Sequence, residues 1–309
     1  MLQTFRKAFQ IEDIRKKILY TLAMLFVVRL GSQLPTPGVD PNYIKDFFAN
    51  QTGETFNFFN AFTGGSFEQM SVFALSITPY ITSSIIMQLL TIAIPKLEEM
   101  QKEGEDGRKK IATITRYVTV GLALIESTAM AVGFGRRGLL EEYNFVNAAI
   151  VVLTLTAGSA FLMWIGERIT EKGVGNGISI VLLINILSRV PSDLTTLYET
   201  FVKGKGLAKG GLAALIILAI ILALVVFTVV LQDAERRIPV QYSQKVQGRR
   251  SVGGQSTNIP LKVNTAGVIP VIFASSIMQF PIVIASFLGK GNGTGIGSEI
   301  LRGLNSGNW

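Results

Sequence analysis

Long apolar runs alternate with shorter charged stretches along the chain. Residues 212–231, LAALIILAIILALVVFTVVL, carry no charge and match the roughly 20 residues that a helix needs to cross the hydrocarbon core of a bilayer. Arg29 and Glu126 each interrupt one of the other runs, and the run that begins with GVGNG is short. The predicted spans are residues 18–34, 69–95, 117–135, 147–165, 173–188, 212–231 and 263–289. The pattern therefore predicts an all-α fold, a polytopic helical membrane protein with seven spans.

Residues 1–17 precede the first run and mix apolar with basic side chains. The apolar positions Leu2, Phe5, Phe9 and Ile14 are typical of an amphipathic helix that lies on the membrane surface. A secretory signal peptide also begins with basic residues before an apolar stretch, but no small-residue cleavage site follows here and further spans do. We therefore expect a cytoplasmic amphipathic helix at residues 1–17.

The basic residues predict the orientation of the spans. Seven spans place the two ends of the chain on opposite sides of the membrane. If the N-terminal end is cytoplasmic, that side holds most of the 29 Lys and Arg residues and the whole net charge of +8. This distribution follows the positive-inside rule, so the N-terminus is predicted to be cytoplasmic and the C-terminal end of this chain to be outside.

Composition excludes most enzyme chemistry. The chain is 49% hydrophobic and 16% charged, with a mean hydropathy of +0.43, whereas a soluble domain is about one quarter charged. It has no Cys and no His, which removes disulfides, thiolate chemistry, the usual general base and the commonest metal ligand. The stretches GVGNG and GNGTGIG lack the G-x-G-x-x-G spacing, and the chain has no phosphate-binding loop motif. We expect no enzymatic activity, no cofactor and no metal site.

Several predicted spans are broken or polar. Residues 60–84, NAFTGGSFEQMSVFALSITPYITSS, join a glycine-broken polar piece to an apolar one that contains Pro79, and Pro270 and Pro281 interrupt the last run. Proline in a membrane helix frees backbone groups, which is tolerated where the helix faces protein or water, so these spans are expected to line a path. Glu126, the one carboxylate well inside a span, is explained equally well by a function or by a hydrogen bond between packed helices.

The loop at residues 232–262 carries more positive charge than topology requires. Two Arg pairs flank the strand-like stretch IPVQYSQKV. The pattern predicts a cytoplasmic hairpin that presents guanidinium groups to an anionic partner, such as RNA phosphate or an acidic protein. Its candidate binding residues are Arg236, Arg237, Lys245, Arg249 and Arg250. The basic loop at residues 96–116 is explained equally well by topology alone.

Several stretches of the chain resemble the SecY family. They are GSQLPTPGVD, FNAFTGGSFEQMSVFALSITPYITSSIIMQLL, KEGEDGRKKIATITRY, LMWIGERITEKGVGNGISI, and QGRR followed by QSTNIPLKVNTAGVIPVIFASSI. The family forms the channel of the bacterial protein translocase and has ten spans. The resemblance therefore implies a SecY-type translocon fold truncated after the seventh transmembrane helix. Residues 18–193 would form the N-terminal half, and residues 194–309 part of the C-terminal half.

The resemblance implies a role for the polar, glycine-broken segment. In the family, the short broken helix before the second span is a plug that folds back into the channel from the outside. Here it would cover about residues 56–71, with a glycine pair as the hinge. Because a plug must leave the channel easily, an irregular, partly polar segment suits this role better than a tightly packed one. The implied plug residues are Phe62, Gly64, Gly65, Phe67, Glu68 and Gln69.

The resemblance also implies a pore ring. Its residues here would be Ile77, Ile81, Ile178, Leu182 and Ile272, of which Leu182 departs mildly from the family. The residue pattern alone favours buried packing for all five. Apolar side chains at a constriction dewet it, so ions are retained while a polypeptide passes without specific bonds.

A lateral gate is implied between the second and third spans on one side and the seventh on the other. Thr82 and Glu126 match a polar cluster of the family there, and Gln279 is a candidate on the facing span. Hydrogen bonds between membrane helices are worth about 0.6 kcal/mol on average, which suits a gate that must open.

The resemblance implies the central subunit of a protein-conducting channel in the cytoplasmic membrane. Such a subunit translocates secretory polypeptides with signal sequences and releases membrane proteins laterally into lipid. The implied partners are SecE and SecG in the membrane, with the SecA ATPase and the ribosome on the cytoplasmic face. Two alternatives stay open: a secondary transporter, which is also built from broken helices, and a non-conducting scaffold that binds ribosomes through residues 232–262.

Overall fold

The computed structural model describes residues 10–40, 63–140, 142–203, 207–240, 245–247, 250–252, 257–265, 267 and 274. The chain divides into two compact units, one within residues 1–191 and the other at Ser192–Ala274. The amphipathic helix predicted at residues 1–17 and the seventh span predicted at residues 263–289 lie largely outside the described residues.

The described part of the chain is mainly helical. Its helices are α1 (Glu12–Gln33), α2 (Thr78–Ala93), α3 (Pro95–Lys102), α4 (Glu105–Phe134), α5 (Phe145–Lys172), α6 (Gly177–Phe201) and α7 (Leu207–Asp233). A π-helical turn, Gly135–Leu139, continues α4. Each of the first six predicted spans overlaps one of the longer helices, and α3 lies almost entirely in the charged loop after α2. The all-α prediction is confirmed, with one difference: α2 begins at Thr78, nine residues after the start of the apolar run at residue 69.

Three of the described helices are long and apolar enough to cross a membrane, namely α5, α6 and α7. The pair α2 and α3 is a fourth candidate, and it bends by 102°. The bend falls at Ile94, whose extended backbone precedes Pro95, because the residue before a proline is disfavoured in the α conformation. The membrane-protein class is confirmed, and the seven-span topology stays a prediction.

Hydroxyl groups connect the helices that pack in the first unit. Ser83 of α2 and Thr119 of α4 share a short hydrogen bond. Ser127 of α4 lies 3.0 Å from Thr156 of α5, oxygen to oxygen. Between membrane helices, small and hydroxyl-bearing residues allow close approach and supply interhelical hydrogen bonds. The Ser and Thr residues of these spans therefore hold α4 against α2 and α5.

The GVGNG motif forms the tight turn between α5 and α6. The amides of Ile178 and Ser179 donate to the side-chain oxygen of Asn176, at 3.1 and 3.4 Å, which caps the start of α6. The amide of Val174 donates to Thr21 of α1 at 3.2 Å. A side chain at Gly177 would lie 2.0 Å from a backbone oxygen of α5. The glycines of this motif thus serve a close helix–helix turn.

The second unit contains a β-ribbon directly after α7. Strand β1 (Glu235–Val240) pairs antiparallel with β4 (Thr257–Lys262), and the short strands β2 (Lys245–Gln247) and β3 (Arg250–Val252) pair with each other. This arrangement confirms the predicted hairpin. It differs in one respect, because Arg236 and Arg237 lie inside β1 rather than before the first strand.

Candidate functional site

Four of the five pore-ring residues lie in one apolar cluster. Ile77 is 1% exposed at the start of α2, and Ile81 follows one turn later. Ile178 and Leu182 contribute from α6, and they are partly buried like Ile81. The buried members that surround them are Val28, Phe73, Leu162, Ile165, Ile169 and Val181. The structure thus brings together two pairs with i, i+4 spacing from two helices.

Some candidate residues fall outside the described part of the chain. These are Ile272 of the pore ring, Phe62 of the plug, Gln279 of the gate and Arg249 of the hairpin. Lys245 and Arg250 are placed in strands by their backbone alone. Their predicted roles are therefore untested by geometry.

Residues 63–77, called the turn segment below, replace the regular helix that the apolar run would allow. Successive tight turns build it, including hydrogen bonds from the amide of Met70 to Phe67 at 3.0 Å and from Ser76 to Phe73 at 2.8 Å. Met70 and Ser76 both have positive φ angles, 43° and 53°, which are uncommon for residues other than glycine. The irregular backbone expected for the plug at about residues 56–71 is found in the described part of that range, residues 63–71.

The turn segment is tightly packed, contrary to the expectation for a plug. Phe67 is 5% exposed, while Met70 and Ala74 are fully buried. The amide of Thr36 donates to Met70 at 2.9 Å, and the amide of Val72 donates to Leu34 at 2.9 Å, so the chain after α1 lies beside the segment. The apolar side chains of the segment are buried. The neighbouring polar residues Glu68 and Gln69 make this burial hard to predict from the sequence.

Polar contacts join the turn segment to α5 and α6. The side-chain amide of Asn185 donates to the hydroxyl of Ser76 at 3.1 Å, and the hydroxyl of Ser159 donates to the carbonyl of Ser76 at 3.3 Å. Arg189 pairs with Glu68 at 4.0 Å. The sequence pattern did not identify Asn185, Ser159 or Arg189. The helical spacing of 178, 182, 185 and 189 is the signal that could have placed Asn185 and Arg189 on the pore-ring face of α6.

Gly64→Ala is expected to release the turn segment, and Gly65→Ala is its matched control. Both glycines have positive φ angles, 66° and 83°, so both variants carry similar backbone strain. A side chain at Gly64 would lie 2.7 Å from the carbonyl oxygen of Asn185, whereas at Gly65 the described residues place no contacting atom within 4 Å of the corresponding point. The added clash is expected to favour opening about tenfold, since overpacking costs on the order of 1–3 kcal/mol.

A buried thiol measures this opening. The chain has no cysteine, and Ser66 is 2% exposed, so Ser66→Cys supplies one nearly isosteric probe. An impermeant maleimide should label it about tenfold faster in Gly64→Ala than in Gly65→Ala. Equal rates would show that the close approach to α6 does not hold the segment.

The lateral-gate candidates lie on two helices that pack together. Thr82 on α2 and Glu126 on α4 are both half-buried. The hydrogen bond that joins α4 to α5 beside Glu126 is made by Ser127 instead. Toward the other end of α4, the guanidinium of Arg116 donates to Glu167 of α5 at 2.7 Å. This hydrogen bond raises the pKa of the Arg116 guanidinium.

Arg236 and Arg237 are exposed on β1. Because successive side chains in a strand point to opposite faces, the two guanidinium groups lie on opposite faces of the ribbon. The sequence pattern predicts that both guanidinium groups are presented to a single anionic partner. The structure therefore allows one of the two, rather than both, to face a flat anionic surface.

Residues 71–307 match the profile of the SecY family. A curated relative, the protein translocase subunit SecY of Corynebacterium glutamicum, is 43% identical over 298 residues, which cover 93% of this chain and 66% of the relative. The chain thus spans about two thirds of the length of that relative.

Solved channels share the fold. Sec61 in a canine ribosome–channel complex from the endoplasmic reticulum has a TM-score of 0.55 at 18% identity, covering 89% of this chain and 59% of that chain. A SecY structure has a TM-score of 0.53 at 20% identity, covering 89% of this chain and 58% of that one. In that protein the plug domain is described as stabilising the closed state of the translocation channel and maintaining a membrane seal. By profile and by identity, the chain belongs to the SecY family.

Proposed function

We propose that this chain is the central subunit of a protein-conducting channel, which moves secretory polypeptides across the cytoplasmic membrane and releases membrane proteins laterally into it. The observation that carries the proposal is the apolar cluster containing Ile77, Ile81, Ile178 and Leu182, with the buried turn segment packed beside it. Bulky apolar side chains next to an irregular segment suit a seal that must open for a polypeptide, because they exclude water without binding one substrate specifically.

In this proposal the pore ring and the plug act in sequence. The ring comprises the four clustered residues and Ile272, and it closes around the passing chain. The plug comprises Phe62, Gly64, Gly65, Phe67, Glu68 and Gln69, and it covers the ring when no substrate is present. The described part of the plug is built from tight turns rather than a regular helix, so it moves without unwinding a helix once its contacts with the chain after α1 and with α6 are released.

The lateral gate opens between α2 and α4 on one side and the predicted seventh span on the other. Thr82, Glu126 and Gln279 are its proposed polar residues. Hydrogen bonds between membrane helices are worth about 0.6 kcal/mol on average, so polar contacts across the gate are weak enough to be exchanged when a signal sequence enters.

The β-ribbon is the proposed docking site for cytoplasmic partners. Arg236 and Arg237, with Lys245, Arg249 and Arg250, supply positive charge for the ribosome or for the SecA ATPase. The canine channel of the same fold is a ribosome–channel complex, which supports the ribosome as a partner. SecE and SecG are the proposed membrane partners, and the driving energy comes from the cytoplasmic partners.

A chimeric translocase tests this function. The chain would replace the matching part of the Corynebacterium glutamicum subunit in proteoliposomes that contain SecE and SecG. With SecA and ATP, a presecretory protein is expected to become protected from external protease. Omission of SecA or ATP should abolish the protection.

The same assay separates the alternatives. A secondary transporter would move a small solute and leave the presecretory protein accessible to protease. A ribosome-binding scaffold would bind ribosomes without protecting any substrate. Absence of protection in a chimera that assembles with SecE and SecG would contradict the proposal.

A further inference from the structure

One face of α6 changes from apolar to polar along its length. Ile178, Leu182, Asn185 and Arg189 follow one another at intervals of four, three and four residues, so they share a face of the helix. The first two contact the cluster that contains Ile77 and Ile81. The last two contact Ser76 and Glu68 of the turn segment. The face that seals the proposed pore thus continues into a face that holds the proposed plug.

Asn185 is the buried centre of this polar half. It is 2% exposed, and its side-chain nitrogen donates to the hydroxyl of Ser76 at 3.1 Å. Its side-chain oxygen is buried without a hydrogen-bond partner in the described part of the chain. An amide in an apolar interior is costly unless it is hydrogen-bonded. Packing therefore does not explain an amide here, since a leucine would fill the same space without that cost.

Ser76 is the strained end of the turn segment. Its φ angle of 53° is unfavourable for a residue with a Cβ. Hydrogen bonds hold it on two sides, from Asn185 to its hydroxyl and from Ser159 to its carbonyl. Ser76 also immediately precedes Ile77 of the pore ring. Loss of either bond allows the backbone to relax, and relaxation at Ser76 moves the segment away from α6.

Close approach at Gly64 supports the same contact. A side chain there would meet the backbone oxygen of Asn185 at 2.7 Å, so the two ends of the turn segment both meet α6 at Asn185. Arg189 adds an ion pair with Glu68 at 4.0 Å between them. These three contacts fasten the segment along one helix face.

We infer that Asn185 is a positioning residue whose amide holds Ser76 in its strained conformation and thereby latches the turn segment closed against α6. This role rests on the proposed function, because only in a channel does holding the segment against α6 close a pore. The contact between Asn185 and Ser76 is independent of that function. Translocation requires the Asn185–Ser76 hydrogen bond to break. Only one hydrogen bond is lost, and the side-chain oxygen of Asn185 has no partner in the described part of the chain even in the closed state, so the contact is easy to break and to remake.

Thiol labelling tests the latch in the complete subunit, assembled with its partners in membranes. Asn185→Leu keeps the volume and removes the amide, and Ser76→Ala removes the acceptor. Each is expected to raise the labelling rate of Ser66→Cys by an impermeant maleimide about five- to tenfold, as the loss of one buried hydrogen bond predicts. Because both variants remove the same bond, the double variant should label no faster than the faster single variant.

Two controls separate release from general loosening. Ser127 is also fully buried, but it lies between α4 and α5, so labelling of Ser127→Cys should not change in either variant. Leu187→Ala, at an exposed position on α6, should leave Ser66→Cys labelling unchanged. Unchanged Ser66→Cys labelling in either latch variant, additive effects in the double variant, or an equal rise at Ser127→Cys would each overturn the latch. None of these results depends on protein transport, so failure of the channel proposal is detected separately.

Discussion

Gly158→Ala is expected to lower the free energy of unfolding by about 3 kcal/mol. Gly158 lies on α5 where that helix meets the turn segment, and a Cβ there would lie 2.0 Å from the carbonyl oxygen of Val72. The carbonyl belongs to the backbone and the Cβ is fixed directly to it, so neither can rotate away, and relief requires α5 and the segment to separate. Overpacking of this kind typically costs 1–3 kcal/mol and occasionally more. Denaturant unfolding in detergent, followed by circular dichroism, measures the change.

Gly121→Ala is the matched control for Gly158→Ala. Gly121 lies on α4, and a Cβ there would meet no atom of the described part of the chain within 4 Å. Alanine is the better helix former, so this variant is expected to be stabilised by up to about 1 kcal/mol. If Gly158→Ala unfolds at the same denaturant concentration as Gly121→Ala, the segment does not pack on α5 as closely as the structure indicates.

The positions of the helices could be predicted from apolar runs because a membrane-crossing helix needs a long stretch without charge. That criterion located α5 and α7 closely, since both are apolar over most of their length. It failed at the start of α2. The run from residue 69 onward is apolar enough for a helix, but Ser76 and Met70 have positive φ angles there. Tertiary hydrogen bonds enforce this conformation, and hydropathy carries no information about them.

Asn185 marks the limit of sequence-based prediction of the site. It is a single polar residue within an apolar run, and its partner Ser76 lies 109 positions away in the chain. No local pattern connects two such residues. The resemblance to the SecY family supplied Ile77, Ile81, Ile178 and Leu182, and the structure places them in one cluster. It did not supply Asn185, because the motif that it used ended one turn earlier on α6.

Charge reversal on the β-ribbon is expected to weaken binding of ribosomes by about tenfold or more at low salt. Arg236→Glu combined with Arg237→Glu replaces two exposed positive charges by two negative ones on β1. Each lost phosphate contact should reduce the slope of log affinity against log salt by about one. Sedimentation of ribosomes with the detergent-solubilised complex, at several salt concentrations, gives both the affinity and the slope.

The single variants give a sharper result, because Arg236 and Arg237 lie on opposite faces of the ribbon. If one face docks on the ribosome, one of the two charge reversals should account for nearly all of the loss, and the other should change affinity little. Lys209→Glu is the control. It alters an exposed basic residue near the start of α7, about 40 Å of helix away from the ribbon at 1.5 Å per residue. Equal losses from Arg236→Glu, Arg237→Glu and Lys209→Glu would show a response to net charge, and the ribbon would then lose its proposed role as the docking site.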